Sequence, residues 1–111
     1  MDIPVVDPLI FEALQANAGA DFVQQLVDAF AEEGPTLVGQ LRRAVANGDA
    51  EGFVTTAHTL KCNGITFGAS RLAGLAGRLE WQGVAAGGPA IDALAAELAA
   101  TLAVLPGLAR Q

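Results

Sequence analysis

Phe53, Ala57, Leu60, Gly64 and Phe67 recur at alternating spacings of four and three residues, and at about 100° per residue they fall on one narrow stripe of a helix. A stripe of that width is a face to be buried, so the chain has to supply other helices with matching stripes. The same stretch carries the only histidine, His58, turned roughly 140° from the centre of the stripe and therefore toward solvent. At helical spacings of three, four and seven from it stand Glu51, Val54, Thr55, Lys61, Cys62 and Ile65. Val54 and Ile65 are branched aliphatics on an outer face. Two readings fit: a surface histidine without function, or a reactive imidazole set in a docking patch of Val54, Thr55, Cys62 and Ile65.

The matching stripes are present. Asp7-Pro8 suits a helix start, with a capping carboxylate and a proline where no N–H is needed, and Leu9, Ile10, Ala13 and Leu14 follow on a short helix ending near Gly19. It is too short to stand alone and is expected to lie across the others as a lid. Asp21 is expected to cap a second helix whose inner side is Phe22, Leu26, Ala29, Phe30, Leu37, Leu41 and Ala44. Its stripe keeps phase across Gly34-Pro35, which predicts one long helix kinked there rather than two. Glu32 and Glu33 read as a solvated face, and Arg42 and Arg43 as helix-end stabilisation.

Asn47-Gly48-Asp49 is a turn and a cap, and opens the histidine helix over residues 50–66, which Gly68 closes. A fourth helix from Ser70 is expected to bury Leu72, Leu75, Ala76 and Leu79, with Trp81 packed on the next connection and Arg71 and Arg78 in solvent. Residues 83–88 read as a flexible loop, and Pro89 as the start of a last helix with Ile91, Leu94, Ala95, Leu98, Leu102 and Leu105 on its seam, ended by Pro106-Gly107. The expected fold is all-α, an antiparallel four-helix bundle with a short N-terminal helix, in one domain over residues 1–111.

Composition narrows the function. At 111 residues the chain has room for one core and none for a kinase ATP-binding domain beside it. Twelve acidic against six basic residues give a net charge of −6, which disfavours broad binding to nucleic acid or anionic membrane and points to protein partners. The opening MDIPVVD lacks the basic start and apolar core of a secretory signal, and no apolar run is expected to reach the length of a membrane span. A single cysteine, Cys62, forms no internal disulfide and agrees with a reducing compartment, so a cytoplasmic, monomeric chain is expected.

The wording of the central stretch is more specific. AHTLK at 57–61, Gly68-Ala69, and Leu79-Glu80 further on resemble the histidine phosphotransfer (HPt) domain, the phosphorelay module that carries phosphate on a helix-borne histidine. One position departs from it: family members usually have glycine or another very small residue directly after the motif lysine, where this chain has Cys62.

The resemblance implies that His58 is phosphorylated and that its partner is a response-regulator receiver domain, with a hybrid histidine kinase as a further partner. No cofactor of the chain's own is expected, Mg²⁺ being supplied by the receiver. Lys61, one turn from His58, would offset phosphate charge. Glu80 falls where a family side chain can lie beside the histidine helix and bond the second imidazole nitrogen; an exposed helix carboxylate is the other reading. Two alternatives stay open: a degenerate HPt-like module that binds a receiver without transfer, and a plain bundle that binds another protein or a small ligand in its core. The first is opposed by the presence of both His58 and Lys61. The second needs converging polar groups that the expected core lacks.

Overall fold

A computed structural model describes residues 3–109, and every statement of structure below refers to them. The helices are α1 (Pro8–Ala18), α2 (Ala20–Asn47), α3 (Ala50–Phe67), α4 (Ser70–Gln82) and α5 (Gly87–Ala109), with a 3₁₀ turn over Gly83–Ala86 between the last two. Helices α2 to α5 form the bundle, each packed on its neighbours in the cyclic order α2, α3, α4, α5, and α1 lies against α2, α3 and α5. Links as short as Gly48-Asp49 and Gly68-Ala69 leave consecutive helices no option but to run antiparallel.

Local chemistry accounts for the ends. Asp7 Oδ1 accepts from Leu9 N at 2.9 Å with Pro8 beside it at the first helical position. Asp49 Oδ1 accepts from Gly52 N at 2.9 Å and opens α3. Gly48 and Gly68 close α2 and α3 in the left-handed region, at φ 66° and 76°, where a side chain would be strained. Asp7 N also donates to Gly68 O at 2.9 Å, which ties the start of α1 to the end of the histidine helix.

The core contains the predicted α3 stripe without exception: Phe53, Ala57, Leu60, Gly64 and Phe67 are all buried. Phe67 stacks on Phe30 of α2 at 5.3 Å between ring centroids. Gly64 lets α4 come close, because a Cβ there would stand 2.9 Å from the Ala73 backbone nitrogen. On the other side of the bundle a Cβ at Gly34 would stand 3.2 Å from the Leu98 methyls, so the residue before Pro35 is the one that α5 packs against. Helix α2 runs continuously through Pro35.

Several expectations are corrected. Asp21 sits in the first turn of α2 and is not its cap, a place taken by Gly19 with no side-chain bond. The first turns of α2 bury Val23 and Val27, leaving Phe22 and Ala29 exposed and Leu26 half-buried. Phe22 and Val23 are adjacent, so both stripes have helical spacing, and the direction from which α5 and α3 pack selects between them. Leu75 is half-buried. Trp81 is 89% exposed rather than packed on the connection. Residues 83–86 are a 3₁₀ turn with Val84 and Ala86 against the core, and α5 begins at Gly87, two residues before Pro89.

Pro106-Gly107 does not end α5, which continues to Ala109 because Leu105 and Ala109 are both buried beyond any preference of the local sequence. Arg42 reaches across to Asp92 of α5 at 2.9 Å instead of serving a helix end. Arg71 bonds Glu97 Oε1 at 2.8 Å, and Glu97 and Thr101 are buried polar residues in a seam expected to be apolar. A helical stretch within Ser70–Ala109 is long and apolar enough to cross a membrane, with a mean hydropathy of 1.6, contrary to the expected absence of such a run. Its large side chains Ile91, Leu94, Leu98 and Leu105 face the bundle core.

Candidate functional site

Helix α3 turns His58 away from the core, leaving its side chain 54% exposed. Helix α4 then supplies what α3 lacks. Because Gly64 faces Ala73 and Gly77 faces the Lys61 stem, the two helices approach closely enough for Glu80 to reach back to the histidine. Glu80 Oε2 lies 2.8 Å from His58 Nδ1, and its other oxygen, Oε1, lies 2.6 Å from Lys61 Nζ. One carboxylate therefore bridges two side chains a turn apart on the neighbouring helix.

The bridge sets the electrostatics. The Lys61 ammonium bonded to Glu80 holds its carboxyl below the ordinary value of 4.5; partial desolvation opposes this, and the His58 bond adds to it. An ionised carboxylate only accepts hydrogen bonds, so a neutral imidazole facing it carries its proton on Nδ1. The lone pair is then on Nε2, whose neighbour is Cys62 Sγ at 3.5 Å. Cys62 is exposed, as expected.

The outer face of α3 carries the rest of the predicted patch. Val54 is 37% and Ile65 61% exposed, and Thr55 is exposed with its carbonyl accepting from Thr59 Oγ1. Ile10 of α1 is exposed as well and packs over Gly68 at the C-terminal end of α3. Lys61 is less free than a surface position implies, at 32% side-chain exposure and already paired. Its link to Glu80 has no signal in the sequence, because it depends on how closely α4 approaches α3 where Gly77 faces the Lys61 stem. Among the described residues no group of three or more His, Cys, Asp and Glu is placed to hold a metal.

The site is thus a helix-borne histidine on the outside of a four-helix bundle, bonded by a carboxylate from the next helix. The Hpt domain family profile matches residues 25–104, from α2 to most of α5, and the chain belongs to that family of histidine phosphotransfer modules. Helix α1 lies outside the matched region. Searches of curated proteins and of solved structures returned no match to the chain.

Proposed function

We propose that this protein is a phosphorelay intermediate, which takes a phosphoryl group from the aspartyl phosphate of a receiver domain onto His58 Nε2 and returns it to a receiver aspartate. The observation that carries the reading is the Glu80 Oε2 to His58 Nδ1 contact of 2.8 Å on an exposed imidazole, because it leaves the nucleophilic nitrogen as the one facing outward.

In the forward step the Nε2 lone pair attacks phosphorus, the N–P bond forms, and the bond from phosphorus to the acyl oxygen breaks with its electrons going to the receiver carboxylate. No proton needs to move. The ring keeps its Nδ1 proton and becomes positively charged, and Glu80 beside that proton stabilises the charge as it develops. Transfer of this kind proceeds through a loose transition state whose charge lies on the equatorial oxygens, so alignment and neutralisation account for most of the catalysis. Lys61 is within one turn of His58 and swings from Glu80 to those oxygens. The receiver brings its own acidic pocket and Mg²⁺, and docks over Val54, Thr55, Cys62 and Ile65. A cytoplasmic setting, with a hybrid histidine kinase as a further partner, belongs to the same proposal.

The test is incubation with a phosphorylated receiver and measurement of acid-labile, base-stable label on this chain. His58→Gln is expected to take up none. Label retained in that variant refutes the assignment, and a wild-type chain that binds receivers without accepting label makes it a docking module.

A further inference from the structure

Cys62 stands where the family pattern has a very small residue, and its sulfur lies 3.5 Å from His58 Nε2. We propose that Cys62 is a positioning residue that caps the attacking nitrogen, so that the thiol and the incoming phosphoryl group compete for one lone pair. This rests on the reading of His58 as the phosphoryl acceptor.

The geometry assigns donor and acceptor. With Glu80 accepting from Nδ1, neutral Nε2 has a lone pair and no proton, and a thiol is the kind of weak donor that can point at it. Among the described residues Cys62 is the one hydrogen-bond partner of Nε2, and the backbone of α3 holds the two residues one turn apart. The imidazole is thus held at both nitrogens, by Glu80 from α4 and by Cys62 from its own helix.

Only the first of these contacts persists through transfer. The Nε2 lone pair that accepts the thiol hydrogen is the pair that must form the N–P bond, so the S–H group has to turn away before attack. A contact present in the ground state and absent in the transition state slows the step. The phosphoryl group then occupies the space toward which the thiol pointed. Occupancy of the nitrogen and occupancy of the sulfur therefore oppose each other, and by linkage each weakens the other to the same degree.

Phosphoramidate tests this without a partner surface: Nε2 attacks phosphorus, the donor's P–N bond breaks, and ammonia leaves with the proton it already carries. Cys62→Ala, with its fold checked by circular dichroism, is expected to take up phosphoryl from it roughly two- to fivefold faster than wild type, the value of one weak hydrogen bond. The imidazole Nε2 resonance is expected to shift in that variant while Nδ1 stays in place, a change that general loosening of the helix does not produce. Methyl methanethiosulfonate, whose sulfenyl sulfur the Cys62 thiolate attacks with release of methanesulfinate, is expected to slow phosphorylation. Phosphorylated protein is expected to resist the reagent. An unchanged Nε2 resonance and an unchanged rate in Cys62→Ala overturn the cap. A wild-type chain that never takes phosphoryl on His58 overturns the functional reading instead, and the nitrogen shift, measured without any phosphodonor, still decides whether the thiol caps Nε2.

Discussion

Glu80 on α4 and His58 on α3, 22 residues apart in the chain, meet at 2.8 Å through Oε2 and Nδ1. The contact favours the imidazole tautomer protonated on Nδ1 and leaves the lone pair on Nε2, the nitrogen that attacks phosphorus in the proposed transfer. Under the proposed function it also explains why His58 needs a bundle and not just a helix, since its orienting group comes from a different element.

Glu80→Gln keeps the shape but removes the charge that, in the proposed transfer, balances the ring during attack. Phosphoryl transfer from a receiver is expected to slow by roughly ten- to hundredfold, the range for a hydrogen bond to a charged group. Receiver binding is expected to change little. Stopped-flow transfer and a binding titration on the same samples separate the two.

Glu80 also predicts a pH dependence. Its carboxyl is held below 4.5 in the fold by Lys61 and His58, so on acidification the unfolded chain takes up this proton first. The contribution to stability is complete above 4.5, declines as the pH falls through the lowered folded value, and is gone below it. Urea unfolding from neutral pH down through that range is expected to show a shallower loss in Glu80→Gln than in wild type. Parallel curves would remove Glu80 from the acid response.

Lys61→Ala removes an ammonium that is partly exposed and paired to a partly exposed carboxylate. Exposed pairs of this kind contribute little, so stability is expected to change by about 0.5 kcal/mol or less. Transfer is expected to slow by roughly tenfold through loss of one charge-assisted contact to the phosphoryl oxygens. A wild-type transfer rate excludes Lys61 from the mechanism.

Gly64→Ala places a methyl 2.9 Å from the backbone nitrogen of Ala73, an atom that cannot rotate aside. Helix α4 has to move, at about 1–3 kcal/mol of stability. Because α4 carries Glu80, transfer is expected to fall as well, although residue 64 never approaches the phosphoryl group. Thermal unfolding with the transfer assay checks both, and loss of stability with full activity shows that Glu80 follows His58 despite the shift.

Arg71→Ala leaves the buried Glu97 carboxylate without its bonded cation, and Oε2 of Glu97 already lacks a hydrogen-bond partner among the described residues. The expected loss is about 2 kcal/mol, reduced from the cost of breaking a fully buried pair because Arg71 is itself half in solvent. Adding Glu97→Met is expected to restore most of it by replacing the orphaned charge with apolar volume. Denaturant melts of the single and double variants test this.

The α3 stripe, the caps at Asp7, Asp49 and Gly68, and the turn at Asn47-Gly48-Asp49 were all legible in the sequence, because periodicity and capping act within a few residues. The outward turn of His58 follows from the same arithmetic. Motif wording, not periodicity, pointed to the family. Where two stripes competed, as with Phe22 and Val23 at the start of α2, only the packing of neighbouring helices decided. Tertiary burial likewise carried α5 through Pro106 to Ala109, and contact between helices recruited Arg42 and Arg71 to carboxylates on α5. The site divides in the same way. His58, Lys61 and Cys62 share a face by the pitch of one helix, which sequence alone determines. The distance from Glu80 to that face is set by the approach of α4 over Gly64 and Gly77, a property of two helices that spacing along one chain segment does not contain.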